Sequence, residues 1–163
     1  MRVSDAEELT DGDPVEVAVE NARRKARAID AEPPVLGVDT VVHLDGVLYG
    51  KPADAGEARA TLTRLSGRTH AVVSGLAVVE PDAVRTAHAT TRVTFRELDA
   101  ATLDWYLATE EWRDRAGGYA IQGRGAALVA GIEGDYLNVV GLPVQALLEL
   151  LPGILHSGAA PLR

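Results

Sequence analysis

The sequence contains no cysteine, which excludes a disulfide scaffold, a zinc ribbon and a cysteine nucleophile. It also has no apolar run approaching the roughly 20 residues of a membrane helix. The opening residues, MRVSDAEELTDGD, lack the basic flank and the apolar stretch of a secretory signal. These absences predict a cytoplasmic protein with no membrane partner, and any catalysis must use groups other than thiols.

Excess positive charge is missing as well, because the 163 residues carry a formal net charge of −8. Proteins that bind nucleic acid polymers neutralise several phosphates with a basic face, and no basic stripe of that size is found in this sequence. A nucleic acid polymer is therefore not expected as a partner. A small anionic substrate remains compatible with the charge if a divalent cation and a few local basic groups screen it.

Lysine is scarce, since Lys25 and Lys51 are the only two among the 16 lysine and arginine side chains. An isolated lysine is usually just solvated. In a chain that otherwise uses arginine, a retained lysine also suits a site that needs a compact ammonium group, for example beside a phosphate oxygen. Lys51 precedes Pro52, which favours an extended backbone at the exit of a hairpin.

Length and a hydrophobic content of 47% support one domain, 1–163, with a sizeable core. Asp13 as a cap and Pro14 at the first turn predict a helix over 14–29. The β-branched run PPVLGVDTVVHL predicts a strand, and Asp45-Gly46 predicts a tight turn into a short second strand. The remaining predicted elements are a helix over 54–67, strands over 69–79 and 84–95, a short helix capped by Asp99, strand segments within 119–141, and a final helix over 142–151.

The alternation of helices with strands predicts an α/β domain with a mixed sheet and flanking helices. Residues 152–163 are expected to fray as a C-terminal tail.

Asp39 is the most unusual residue of the first predicted strand, because it lies among valines and leucines. A buried unpaired carboxylate would cost several kcal/mol or stay protonated. Two explanations remain open from the residues alone. One is structural, a bond to a helix N-terminus or an arginine; the other is functional, a general base or a metal ligand facing a cleft.

Other polar candidates are weaker on local grounds. Gln122, in YAIQGRG, lies between a predicted strand and a glycine loop, where its amide could contact the polar edge of a small ligand. Glu7 and Glu8 fit a solvated acidic turn equally well. The four histidines are scattered and none has the short-range partner that metal or nucleophile motifs require.

Five segments together resemble the Maf family of nucleoside triphosphate pyrophosphatases, also called septum formation inhibitor Maf. They occur in the order of the family: ENARRKARAI, GVDTVV with DGVLYGKP, EARATLTRLSGRTH, DRAGGYAIQGRGA and GDYLNVVGLP. The resemblance implies an elongated α/β fold with two lobes about a central cleft, related to the inosine triphosphatase fold. It also implies divalent-metal-dependent cleavage of nucleoside triphosphates to the monophosphate and pyrophosphate, with Mg²⁺ or Mn²⁺ as the metal.

Site roles follow from the same resemblance. Asp39 matches the catalytic acid that takes a proton from water near the metal, and Glu8, with Glu7 as the alternative, matches its partner acid. Lys25 and Lys51 match phosphate-side lysines. Thr40 and Gln122 match the positions that distinguish the dTTP and UTP branch from the 7-methyl-GTP branch, and both match the dTTP and UTP branch. The resemblance therefore implies hydrolysis of dTTP, UTP and modified pyrimidine triphosphates, with removal of noncanonical nucleotides from the pool as the role.

One departure from the family is expected to matter. Members begin with a strand and a loop of the type S-x-S-P-R-R, and no such segment precedes Val3. Arginines of that loop contact the triphosphate in the family. We expect a start site placed too far downstream, the alternative being a shortened and weakened member. The absence also favours a rival function, a non-catalytic nucleotide-binding regulator of cell division. A homodimer is implied by resemblance alone.

Overall fold

Five strands form one sheet in the structure, a computed structural model that describes residues 6–155. The order across the sheet is β2-β1-β3-β4-β5, and all four pairings are antiparallel. The strands are β1 Val35–Leu44, β2 Val47–Tyr49, β3 Thr69–Val79, β4 Val84–Phe95 and β5 Val129–Glu133.

The α/β class with helices flanking a sheet is confirmed, and the mixed pairing expected from the sequence is corrected to antiparallel pairing within residues 6–155. For two of the four pairings the physical reason is that tight turns join the strands directly, at Asp45-Gly46 between β1 and β2 and at residues 80–83 between β3 and β4. A parallel pair would need a long crossover instead. Residues 1–5 and 156–163, which include the start of the chain and most of the predicted tail, lie outside the described part.

Helix α1, Pro14–Ala28, begins and ends almost where the sequence predicts. The side chain of Asp13 accepts hydrogen bonds from the backbone nitrogens of Val15 and Glu16, at 3.0 and 3.1 Å. This satisfies two of the free donors of the first turn.

Two glycines let α1 lie directly on the sheet. A Cβ atom on Gly37 of β1 would lie 2.9 Å from the Cβ of Ala26 and closer still to the carbonyl oxygen of Ala22. A Cβ on Gly75 of β3 would overlap the backbone of Ala18. The helix backbone therefore rests against the strand backbone, and this contact fixes which strand residues the polar side chains of α1 can reach.

The opposite face of the sheet carries the main core. It packs against α2, Ala55–Leu65, and α3, Ala100–Leu107, both capped by aspartates. The largest fully buried side chains include Tyr106, Phe95, Leu62, Leu65, Leu76 and Leu128. Helix α2 ends as predicted, since Gly67 follows its last residues with a left-handed φ of 68°.

Residues 119–141 depart from the predicted strands. Only β5 is a strand there. Arg124–Leu128 is a 3₁₀ helix, and Tyr136–Val140 forms α4, capped by Asp135 and ended by Gly141 with a left-handed φ of 118°. Helix α5, Val144–Leu150, packs against Leu76 and Val78 of β3. Within residues 6–155, no helix combines the length and the hydropathy needed to cross a membrane.

Candidate functional site

Asp39 lies in β1 on the face covered by α1, and only 6% of its surface is exposed. Its Oδ1 forms an ion pair with the ammonium of Lys25, and its Oδ2 accepts a hydrogen bond of 3.1 Å from Nδ2 of Asn21. Asn21 and Lys25 are four residues apart, so they lie on the same side of α1. The buried carboxylate is therefore fully partnered, which removes the cost that an isolated buried charge would carry.

Glu8 joins the same group through Lys25. Its Oε1 lies 2.7 Å from the Lys25 Nζ, which places both acids on one ammonium. Asn21 holds the backbone beside Glu8, because it accepts from the nitrogen of Leu9 at 2.7 Å and donates to the oxygen of Leu9 at 3.0 Å. Among the contacts of residues 6–155, Glu7 contributes only its backbone oxygen, which accepts from Arg24. Of the two candidate acids, it is Glu8 that the structure places beside Asp39.

The charge state of Lys25 follows from these contacts. Burial lowers the pKa of Lys25, but the hydrogen bonds and the negative charges of Asp39 and Glu8 outweigh burial and leave this pKa above its usual value of 10.5. The ammonium is therefore charged at neutral pH, with 19% of its side chain exposed.

Thr40 points to the other face of the sheet, because successive residues of a strand alternate. Its hydroxyl lies 2.8 Å from the hydroxyl of Ser74, its cross-strand partner in β3. Ser74 also donates to the backbone oxygen of Asn138 in α4, at 3.3 Å.

The edge of β1 explains how one cavity can reach both faces. Strand β2 pairs only with Val42, His43 and Leu44, so the stretch 35–41 has no strand beside it on that side among residues 6–155. The space at this edge contacts Asp39 and Lys25 on the α1 face and Thr40 on the other.

Lys51 and Gln122 complete the walls of this cavity. Both are exposed, and neither forms a side-chain hydrogen bond or an ion pair within the described stretch 6–155. Arg115 lines the same cavity and is likewise unpaired there. The segment after Arg115 is tied to the exit of the β1–β2 hairpin by a 3.0 Å bond from the Gly117 nitrogen to the Gly50 oxygen.

Two adjoining cavities together contain all six predicted site residues. The first, about 370 Å³, is lined by Lys25, Asp39, Thr40, Lys51 and Gln122. The second, about 410 Å³, shares Asp39, Thr40 and Lys51 and adds Glu8. A larger depression of about 840 Å³ lies between α4 and α5, but it is open and contains none of these side chains. The chemistry therefore points to the two smaller cavities.

The protein supplies only some of the ligands that a cation such as Mg²⁺ needs. Among residues 6–155, no group of three or more histidine, aspartate or glutamate side chains is placed to hold a metal ion. Mg²⁺ is commonly held by one or two carboxylates together with substrate phosphates and waters. Asp39 and Glu8, which meet at one ammonium, match that smaller protein contribution.

Three residues of the site were missed from the sequence. Asn21 is an almost fully buried amide in an amphipathic helix, one turn before Lys25, and that spacing was the available signal. Ser74 is hidden in an apolar strand, and only the β1–β3 register reveals it. Arg115 sits in a polar connection with no local signal.

The chain is similar to a family of known proteins. A family model described as "Maf-like protein" matches residues 1–154. The "dTTP/UTP pyrophosphatase" of Pyrococcus furiosus is 45% identical over 148 residues, which cover 89% of this chain and 78% of that protein. The protein of the same description from Moorella thermoacetica is 52% identical over 137 residues, 80% of this chain and 70% of its own length. The protein of this description from Deinococcus radiodurans is 43% identical over 152 residues, which cover 91% of this chain and 78% of that protein.

Proposed function

Because the chain belongs to the Maf-like protein family, we propose that it is a nucleoside triphosphate pyrophosphatase that hydrolyses dTTP and UTP to the monophosphate and pyrophosphate. Such an enzyme removes unwanted nucleotides from the pool. The observation that carries the proposal is the convergence of a buried carboxylate, two lysines and two polar recognition groups on connected cavities. Relatives that carry this activity in their description support the substrate class.

Each group in the cavities has a role that its position suits. Asp39, fixed by Asn21 and Lys25, would accept a proton from the water that attacks the α-phosphorus, and the bond between the α-phosphorus and its bridging oxygen to the β-phosphate would break. Lys25 and Lys51 would bind the phosphate oxygens. The ammonium of Lys51 has no ion pair among residues 6–155, so it would lose none of those contacts by binding a phosphate. Thr40 and Gln122 would contact the base.

We propose that Asp39 and Glu8 hold a divalent cation, Mg²⁺ or Mn²⁺, together with the phosphates of the substrate. When bound, this cation offsets the negative charge of the triphosphate. In the structure the ammonium of Lys25 lies between the two carboxylates. A divalent cation bound by both carboxylates would therefore lie beside this ammonium, and both positive groups would interact with the same two acids.

A cytoplasmic location and a homodimer also remain proposals. The homodimer derives from the family resemblance alone, and the cytoplasmic location from the composition and opening residues of the sequence. The rival function, a regulator of cell division that binds nucleotide without hydrolysis, is not favoured, since the relatives described above are named as pyrophosphatases.

The substitution Asp39→Asn tests the proposal. Pyrophosphate release from UTP and dTTP should fall by at least about a hundredfold, since general base catalysis typically contributes a factor of 10²–10⁴. UTP binding, followed by calorimetry, should persist. The measurement is steady-state pyrophosphate release with and without Mg²⁺.

Asp82→Asn is the matched control, because Asp82 is exposed in the turn between β3 and β4, away from both cavities. It should keep the parent rate. A parent protein that binds UTP but releases no pyrophosphate would favour the regulator instead, and an active Asp39→Asn variant would remove Asp39 from the role of base.

A further inference from the structure

Residues outside the cavity lining determine whether the hydroxyl of Thr40 donates or accepts a hydrogen bond in the cavity. Thr40 Oγ1 and Ser74 Oγ are 2.8 Å apart, and either could be the donor if only this pair is considered. The third partner decides between them. Ser74 Oγ lies 3.3 Å from the backbone oxygen of Asn138, and a carbonyl oxygen can only accept.

A serine hydroxyl has a single hydrogen to donate. Ser74 is completely buried, so no solvent can compensate an unfavourable contact between two acceptors. Its hydrogen therefore goes to Asn138, and Ser74 must accept the hydrogen of Thr40. Thr40 then has no hydrogen left to offer to a ligand, and it presents only the lone pairs of its oxygen to the cavity.

The acceptor at the end of this chain is held in place from α4. The side chain of Asn138 is fully buried and donates to the backbone oxygen of Val72 and to the hydroxyl of Thr91, both at 3.0 Å. The Asn138 backbone oxygen also accepts from the nitrogen of Gly141 at 3.0 Å. Because α4 is fixed to β3 and β4 in this way, the carbonyl group cannot easily turn away from Ser74.

We propose that Ser74 is a positioning residue that makes Thr40 a hydrogen-bond acceptor, and that this site recognises pyrimidines by the N3–H of their imide group. Uracil and thymine carry that hydrogen, whereas the N3 of cytosine has none and is itself an acceptor. Facing Thr40, cytosine would bring two acceptors together at a partly buried position. The inference rests on the proposed function and adds the chemical feature by which UTP and dTTP are distinguished from CTP.

The location of Thr40 is consistent with a role in binding the base rather than the phosphates. Asp39 and Lys25 occupy the α1 face of β1, where the phosphates are proposed to bind, and Thr40 faces the opposite side near Gln122. A nucleotide that crosses the open edge of β1 would place its base on the Thr40 side. The amide of Gln122, which can donate and accept, suits the carbonyl oxygens that flank N3 in uracil and thymine.

The experiment compares UTP, N3-methyl-UTP and CTP with the parent and with Ser74→Ala, Thr40→Val and Thr40→Ser. For the parent, kcat/KM should be highest for UTP. In Ser74→Ala the Thr40 hydrogen becomes free to turn toward the cavity, so the ratio of kcat/KM for UTP to that for CTP should fall by roughly tenfold. Thr40→Val removes the acceptor for UTP and the unfavourable acceptor contact for CTP, so the ratio should again fall by roughly tenfold or more, while Thr40→Ser should keep the parent ratio.

Thr69→Val is the matched control, because Thr69 belongs to β3, like Ser74, and its hydroxyl lies 2.8 Å from the hydroxyl of Thr94, away from the cavities. It should keep the parent UTP to CTP ratio. An unchanged ratio in Ser74→Ala, including an equal loss for both nucleotides, would overturn the inference.

The dissociation constants of the same nucleotides are also measured for the Asp39→Asn variant, with and without Ser74→Ala. This comparison separates the two proposals. A parent that releases no pyrophosphate from UTP contradicts the proposed function. The ratio of dissociation constants for UTP and N3-methyl-UTP, with and without Ser74→Ala, still decides whether Thr40 accepts from the imide.

Discussion

Lys25 connects the two acids of the cavities, and its contacts are strong because they are partly removed from water. Asp39 is 6% exposed and the Lys25 side chain 19%, while Glu8 retains 37%. Breaking a buried ion pair by removing one partner leaves an uncompensated charge, which costs more than the pair itself contributes. The arrangement can therefore be tested by stability alone, independently of turnover.

Lys25→Met should lower the free energy of unfolding by about 2–3 kcal/mol, somewhat below the range for a fully buried pair because water still reaches Lys25. Adding Asp39→Asn should restore a large part of this loss, since the unpaired charge is then gone. Urea unfolding of the parent, both single variants and the double variant gives a coupling free energy, expected to be at least about 1 kcal/mol.

Lys51→Met is the control for this cycle. Lys51 is exposed and unpaired within residues 6–155, so its removal should change the free energy of unfolding by less than about 0.5 kcal/mol. Strictly additive effects of Lys25→Met and Asp39→Asn would contradict the ion pair.

The candidate site could be proposed from the sequence where single residues carried a signal. Asp39 stood out as an acid in an apolar strand, and the two lysines stood out by their scarcity. Ser74 could not be found in that way. Its importance comes from the β1–β3 register, which pairs it with Thr40, and from a contact with α4 that lies 64 residues away in the chain.

At the scale of elements, the seating of α1 on the sheet determines the geometry of the site. The close approach of the helix at Gly37 and Gly75 leaves no room for a side chain at either position. Because the obstructing atoms at Gly75 belong to backbone, a methyl group there cannot be accommodated by a rotamer change.

Gly75→Ala should destabilise the protein by about 3 kcal/mol or more, at the upper end of the usual cost of overpacking. It should also reduce pyrophosphate release, because α1 would shift and carry Lys25 and Asn21 away from Asp39. Urea unfolding and steady-state turnover measure the two effects.

The matched control is Gly131→Ala in β5, where an added Cβ would have no atom within 4 Å. It should change the free energy of unfolding by less than about 0.5 kcal/mol. A Gly75→Ala variant as stable as Gly131→Ala would contradict the direct contact between helix and sheet.

Most elements followed from local pattern. The bounds of β3 and β4 and the start of α1 agree with the prediction, because caps, turn residues and hydrophobic periodicity coincide there. The structure of residues 119–141 did not follow from local pattern. Their valines, isoleucines and tyrosines favour strands, but long-range contacts determine the structure that they adopt. Asn138 ties α4 to β3 and β4. The cap Asp135 and the terminating Gly141 were the local signals for a helix, and the apolar composition outweighed them in the prediction.

At the scale of the whole molecule, one buried histidine couples folding to pH. His70 of β3 packs edge-on against Phe95 and Tyr119, and its Nε2 lies 2.9 Å from the Tyr119 hydroxyl. Burial lowers the pKa of His70 from 6.5 to about 4. Between these two values the unfolded chain binds a proton that the folded protein does not, so acidification favours unfolding.

The contribution of His70 to stability is therefore complete above about pH 6.5 and is lost as the pH falls to about 4. For a shift of this size it amounts to about 3 kcal/mol. His70→Gln keeps a polar group near Tyr119 but does not titrate, so the loss of stability between pH 7 and pH 4 should be smaller in the variant by up to that amount. Urea unfolding at several pH values measures it, and parallel curves for the parent and the variant would contradict the assignment.

The contact of α1 with Gly37 and Gly75 has a consequence for redesign. Direct backbone contacts set the spacing between α1, which carries Lys25, and β1, which carries the proposed base Asp39. The side chain of Thr40, proposed to contact the base of the nucleotide, lies on the other face of the sheet. Substrate preference and hydrolytic chemistry can accordingly be altered independently. A library at Thr40, Ser74 and Gln122 should yield enzymes with new nucleotide preferences that retain the same hydrolytic centre.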